Sequence, residues 1–471
     1  MTAVDWGVIV LYFVVLIGIG LQTMRRIETS DDFAVAGNRI IWPVFFGSLA
    51  AAFLGGGASL GLAGQSYASG YVYMFAFLAY SIQTVLIGWF VAPRLKRYPG
   101  AHTVGDVMDA HFGRGARLLT GILSFALCAG ILGAQALAIG TVVNATIGLP
   151  VTPSVVIGMA IVILYSTFGG LWAVIQTDMM QFVLLGVLIP VTLLIGVYRS
   201  GGVGELLAGI PDTHLSGLGG MTLLAFAGLF VSFLLGETLV PPYTQRTFST
   251  PDGRHARIGF VLTGIFSALF FFITASLGLV ALRLFPGIDS EAALPTVVME
   301  LLPVGLVGLV VAALLAVVMS TASSYMNSAA IVLVKDIYQP FIKPDLSGGH
   351  RLWLERATTV AIGVLATLFA ISVPSIVDAL LYAYSLWAPT VIIPLLGAVL
   401  FGCRSAGAAV GAIVAGGVVT ALWTWALGDP FGVPGVIVGV GANALVFIVV
   451  SLVSRTERRA PAAPPVAQEE S

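Results

Sequence analysis

Thirteen apolar runs, each roughly 18 to 30 residues and so long enough to cross a ~30 Å hydrocarbon layer, follow one another along this 471-residue chain. They fall near residues 4–24, 41–67, 71–93, 117–146, 152–171, 174–198, 219–243, 257–283, 303–337, 354–373, 377–402, 406–427 and 434–454. Inside lipid a segment must satisfy every backbone N–H and C=O by itself, which selects helices. The expected fold is therefore an all-α polytopic membrane protein with 13 transmembrane helices. Only 9% of the residues are charged against 58% hydrophobic, a balance that excludes a water-soluble domain of this length. The first run lacks a basic leader and is read as a retained span.

Thirteen spans put the termini on opposite sides. With the amino terminus outside, nineteen Lys/Arg collect on the cytoplasmic side, and only Arg199 and Arg283 stay outside. Cytoplasmic loops favour Lys and Arg, so this asymmetry orients the chain in a plasma or inner membrane with a cytoplasmic C-terminus. The Pro/Ala-rich tail, 455–471, reads as disordered.

Two spans carry breakers at mid-depth. Gly55, Gly56 and Gly57 interrupt the second, each costing about 1 kcal/mol relative to Ala in a helix interior. In the seventh, Gly236 precedes Glu237, and Pro241 and Pro242 remove two backbone donors one turn later. Glycines also serve close helix packing and prolines serve kinks. However, two breaks five spans apart match the discontinuous helices that mark a transporter's central site, where freed carbonyls and half-helix ends face a cavity.

MSTASSYMNS, residues 319–328, puts Ser320, Thr321, Ser323, Ser324, Asn327 and Ser328 into a strongly apolar helix. Membrane hydroxyls often bond back to their own carbonyls or across to a neighbouring helix. Here Val317, Ser320, Thr321, Ser324 and Ser328 share one helical face. Neutral oxygens so grouped suit a small monovalent cation that must be released in each cycle. YSTFGGLWAVIQTDMMQ, residues 165–181, joins two spans through a short inner turn, and Asp178 starts the second. Asp178 serves there either as an acid favoured at a helix N-terminus or as an attractor for that cation.

These pieces, with TSDDFAVAGNRIIW, HTVGDVMDAHFG, PPYTQRTFSTPDGRHAR and LLPVGLVGLVVAALLAVVMSTASSYMNSAAIVLVKDIY, resemble the solute:sodium symporters over nearly the whole chain. The resemblance implies a core of two inverted five-helix repeats, 41–402, of the type found in amino-acid and neurotransmitter carriers. One helix precedes it in 1–40 and two follow in 403–454. It also implies a sodium site on the carbonyls of Ala51, Leu54 and Val317 and the hydroxyls of Ser320 and Thr321. Asp178, Ser323 and Ser324 match a second sodium site of some relatives, and serve equally as an exit path for a single ion.

The solute positions implied by the resemblance depart from those of sugar carriers. Phe53, Gly55, Gly56, Gly57 and Ala58 offer few hydrogen bonds, and unpaired sugar hydroxyls would cost about 1 to 3 kcal/mol each. Phe77, Tyr80, Phe233, Tyr384 and Trp387 are aromatic candidates. Glu237, an acid at membrane depth, is a functional candidate unless it is neutral and packed against the Pro241 turn. A carboxylate among aromatic faces suits an ammonium, and a half-helix end suits a carboxylate, so a small zwitterion or amine such as an amino acid or betaine is expected. The alternatives are proton coupling through Glu237 or Asp178, and a membrane receptor that binds solute without moving it. The five His residues are scattered in loops, Cys128 and Cys403 define no metal or disulfide framework, and no nucleotide-binding loop occurs. Enzyme chemistry, nucleic acid and an obligatory protein partner are not implied; the partners are solute, sodium and the bilayer.

Overall fold

The computed structural model describes residues 1–24, 39–346 and 348–454; Arg25, Arg26, most of TSDDFAVAGNRIIW and the tail 455–471 lie outside them. Among the described residues there are helices and no strands. In chain order the main ones are α1 (Ala3–Met24), α2 (Trp42–Phe53), α3 (Gly57–Ser69), α4 (Val72–Leu95), α5 (Val104–Phe112), α6 (Arg114–Ile147), α7 (Val151–Arg199), α8 (Leu223–Gly236) and α9 (Pro241–Phe248). There follow α10 (Gly253–Leu284), α11 (Ala293–Leu301), α12 (Leu306–Phe341), α13 (Gly349–Ala370), α14 (Ile376–Trp387), α15 (Ile392–Phe401), α16 (Ala406–Ala426) and α17 (Gly435–Val453).

Nine described helices are long and apolar enough to cross a membrane, or eleven when each of two bent pairs counts as one span. Ala3–Leu16 in α1 and Val151–Leu164 in α7 are shorter apolar stretches at the places of the two remaining expected crossings. The first bent pair is α2 with α3, turned by 60° at the glycines. The second, α14 with α15, turns by 58° around Pro389, a break the sequence reading passed over. Between α8 and α9 the chain leaves the helix at Glu237 and re-enters it at Pro241, as the Gly and Pro signals require.

The short inner turn expected before Asp178 is not a loop. The backbone stays helical through all 49 residues of α7, which places Asp178 inside a helix rather than at its start. Glycine weakens a helix without forbidding it, and both flanking stretches are pinned by packing. Val155 sits on Gly140 and Ile139 on Gly158, while Met179 sits on Gly47 and Val280 on Gly196.

The hydroxyl-bearing α12 is the centre of the protein. Its apolar window is 89% buried, against 22% for α17 at the periphery. A capping carboxylate from a distant helix holds its first turn: Asp5 of α1 accepts hydrogen bonds from the N–H groups of Gly305 and Gly308, at 2.7 and 3.1 Å. These are N–H groups that no intrahelical carbonyl satisfies, and the helix dipole favours an anion there.

Candidate functional site

The three glycines end α2 and let neighbours approach. A Cβ on Gly55 would stand 2.6 Å from Thr321 Oγ1 and 2.7 Å from Gln135 Oε1, so only glycine fits. Gly56 N–H, which a continuous helix would give to Ala52 O, instead donates to Gln135 Oε1 at 2.7 Å. Ala52 O accepts from Thr321 Oγ1 at 3.0 Å, and the same hydroxyl lies 3.2 Å from Val317 O. The break thus brings α2 carbonyls against the α12 hydroxyl face. Thr321 meets Ala52, between the expected Ala51 and Leu54, and all of these residues are buried.

Ser320 turns the other way, donating to Asp178 Oδ1 at 2.6 Å. Asp178 is fully buried, and its Oδ2 accepts from Ser48 Oγ at 2.5 Å and from Arg246 Nη2 at 2.9 Å. Arg246, on α9, is 1% exposed. It also donates through Nε to Ser48 Oγ at 2.9 Å, through Nη1 to Pro242 O at 3.2 Å and through Nη2 to Ser324 Oγ at 2.7 Å. The sequence reading counted Arg246 among the cytoplasmic loop cations; in the structure it is enclosed by α2, α7 and α12. The missed signal was Asp178 itself, since an acid in an apolar segment calls for a cation.

The rest of the hydroxyl cluster is held by side chains and its own helix. Ser323 donates back to Ser320 O at 2.9 Å, Gln245 Nε2 donates to Asn327 Oδ1 at 3.0 Å, and Ser328 donates to Gln245 Oε1 at 2.6 Å. Thus Gln245 and Arg246, adjacent on α9, satisfy the lower part of the cluster. Of the cluster, Thr321 is the hydroxyl bonded to the first break.

At the second break Glu237 caps α8, and both of its oxygens accept tyrosine hydroxyls: Tyr243 at 2.6 Å and Tyr384 at 2.7 Å. Tyr80 donates to Tyr384 at 2.7 Å, extending the network. Leu239 next to it adopts φ +55°, a left-handed conformation unfavourable for a side chain with a Cβ. Thr238 anchors this strained turn, its carbonyl accepting from Trp387 Nε1 at 2.8 Å and its hydroxyl from Gln83 Nε2 at 2.6 Å. Gly236 lies flat against the Tyr384 ring, where a Cβ would meet Cγ at 2.3 Å.

Between the two breaks lies a central cavity lined by Phe53, Gly55, Gly57, Ala58, Phe77, Tyr80, Gln135, Glu237, Phe271, Thr321 and Leu380. It encloses about 20 Å³, space for one water-sized group, so a solute enters only after the helices part. Phe77 stands 4.5 Å from Phe233 and 5.2 Å from Tyr80 between ring centroids, and Phe53 stands 5.8 Å from Tyr80. Of the expected solute residues, Phe53, Ala58, Phe77, Tyr80 and Glu237 line this cavity. Phe233 and Tyr384 stand behind it, and Trp387 holds the second break. Gln135 and Phe271 were not foreseen; a lone Gln amid the apolar α6 was a legible signal.

Interrupted helices that meet at a small buried cavity within a membrane bundle are the arrangement of a transporter's central site. The chain matches the Sodium:solute symporter family over residues 33–416 and belongs to it. It is 26% identical to a sodium/glucose cotransporter of Vibrio parahaemolyticus, over 78% of this chain and 74% of that protein. Similarity extends to the sodium/glucose cotransporter 1 of Ovis aries, 28% identical over 71% of this chain and 58% of that protein. The high-affinity choline transporter 1 of Drosophila melanogaster is 27% identical over 80% of this chain and 63% of that protein. The chain thus spans about three fifths of the length of the two animal relatives. Among solved structures, a substrate-bound outward-open Na+-coupled sialic acid symporter superimposes with a TM-score of 0.82 at 19% identity, covering 98% of this chain and 99% of that one. Mhp1, of the nucleobase-cation-symport-1 family, follows at 0.56 and 17%, covering 90% and 94%. These findings support sodium-coupled symport as the general activity.

Proposed function

We propose that this chain is a secondary active symporter that uses sodium to import a small solute bearing an ammonium group, as a zwitterion or amine, by alternating access. The contact between Thr321 and the interrupted end of α2 carries the sodium part of this reading. An ion placed among Ala51, Leu54, Val317, Ser320 and Thr321 would tie α2 to α12 and so favour the conformer that binds solute. Each charge moving inward gains ~2.3 kcal/mol per 100 mV, which drives accumulation. The same reading takes thirteen crossings, two of them supplied by the two halves of α7, together with the inverted repeats within 41–402, an external amino terminus and a plasma-membrane location as its frame.

The solute class rests on Glu237 beside the aromatic rings of Phe53, Phe77 and Tyr80. Ring faces attract an ammonium, and a carboxylate adds charge complementarity. Few groups in the cavity could pair the hydroxyls of a sugar. The test is a screen of amino acids, betaines, choline and glucose for sodium-dependent thermal stabilisation of the purified protein, followed by uptake into proteoliposomes. Stabilisation by an ammonium compound only in sodium is expected; stabilisation by glucose alone would overturn the solute class. Ser320→Ala and Thr321→Ala should each raise the sodium concentration for half-maximal uptake several-fold, and an unchanged value would remove the site.

A further inference from the structure

Away from the central site, the end of α4 and the start of α10 meet and gather cations. Gly88 and Gly253 let the two helices touch: a Cβ on Gly253 would stand 2.8 Å from Pro93 Cα, and one on Gly88 2.8 Å from Phe260 Cβ. This contact sets Arg94 and Lys96 at the end of α4 beside Arg254 and Arg257 at the start of α10, with Asp252 capping α10. Asp252 is engaged by its own helix, its Oδ1 accepting from the N–H groups of Arg254 and His255 at 2.9 Å and lying 2.9 Å from His255 Nδ1. Arg94 donates to Phe90 O, and Lys96 to Phe248 O at 2.9 Å. Arg257 stacks on Trp89, 5.0 Å from the ring centroid, and among the described residues neither its guanidinium nor that of Arg254 has an acceptor. Both arginines are exposed, and Trp89 and Phe90 beside them are 51% and 54% exposed. A guanidinium stacked on a ring keeps its in-plane N–H groups for an oxyanion such as phosphate. An exposed Trp at the end of a span sits at headgroup level, so these donors lie at the depth of lipid phosphates.

We infer that this junction is a docking site for an anionic phospholipid of the inner leaflet, whose phosphate takes the Arg254 and Arg257 guanidinium N–H groups while its chains pack on Trp89 and Phe90. An anionic headgroup, rather than a zwitterionic one, matches the excess of cations over acids. The inference rests on the orientation taken above, which puts this end of α4 in the cytoplasm. Its bearing on transport runs through the interrupted helices. Lys96 holds the carbonyl of Phe248, the last residue of α9, and Ser249 O next to it accepts from Ile40 N, just before α2, at 3.0 Å. A lipid held here steadies the cytoplasmic ends of α9 and α2 together.

Native mass spectrometry of the purified full-length chain with phosphatidylglycerol or phosphatidylcholine measures the preference, and hydrogen exchange in vesicles of either lipid locates it. The wild type is expected to hold phosphatidylglycerol more tightly and to exchange more slowly over 245–257 in its presence. Arg254→Gln and Arg257→Gln should each weaken phosphatidylglycerol about fivefold and leave phosphatidylcholine unchanged. Arg257→Lys, which keeps the charge, should lose less, and Lys343→Gln, which removes a cation just past α12, should lose nothing. Equal binding of the two lipids by the wild type would overturn the site. So would an equal loss in Lys343→Gln, by showing a diffuse effect of charge. Labelling of Arg254→Cys by an impermeant thiol reagent from outside the cell would instead remove the orientation, and with it the choice of leaflet, without touching the lipid contact.

Discussion

Asp178 and Glu237 are both carboxylates buried at membrane depth, yet they are held in different ways. Asp178 meets an arginine and two serine hydroxyls; Glu237 meets two tyrosine hydroxyls and, among the described residues, no cation. The first is a closed ion pair whose charge is already spent on the protein. The second keeps a carboxylate beside an aromatic cavity, where an incoming positive group finds no competitor among its hydrogen-bond partners. Neutral donors satisfy the lone pairs of an acid without cancelling its charge, and this is the physical difference between the two carboxylates.

Removing one partner of a buried ion pair is the most damaging change in this comparison. Arg246→Met should destabilise the purified protein by about 3 to 5 kcal/mol, and Asp178→Asn combined with Arg246→Met should recover much of the loss. Thermal unfolding of the four proteins of the cycle measures it, and an additive double variant would break the pairing argument. Glu237→Gln should leave the fold and the sodium half-saturation intact while weakening an ammonium solute by about tenfold or more, equal to ~1.4 kcal/mol. Equal solute affinity in the variant would return Glu237 to a packing role. Tyr243→Phe and Tyr384→Phe should each cost about 1 kcal/mol in stability, since each removes one hydroxyl donor. If either matches Arg246→Met, the distinction between the two acids fails.

The smallest effect comes from a third acid, outside the spans. Burial pushes Glu291 from the ordinary 4.5 up to about 7, with Asp289 and Asp378 adding to the rise and the Ile376 N–H opposing it. It sits between α10 and α11, where the Ser290 carbonyl packs on Gly64 of α3, and it accepts from Ile376 N at the start of α14. The folded protein prefers the neutral acid, so its contribution to stability is fully present below about pH 4.5 and is lost as pH rises through about 7. Glu291→Gln should flatten the fall in melting temperature between pH 5 and 8. A wild-type slope that persists in the variant would place the pH dependence elsewhere.

The sequence by itself determined the helical class and the glycine and proline interruptions, because apolar length and backbone chemistry act locally; that Thr321 approaches the end of α2 was implied by the family resemblance alone. Glu237 was legible as well, since an acid in an apolar run is conspicuous whatever surrounds it. Tertiary structure alone decided the partners. Nothing local separates an arginine that leaves the membrane from one folded back onto Asp178, 68 positions away. Nor does spacing reveal that Gln245 would take up Asn327 and Ser328, or that α7 would stay helical where a turn was expected. Buried hydrogen bonds and ion pairs are satisfied by whichever groups the packing brings within about 3 Å, and that proximity is a property of the assembled bundle.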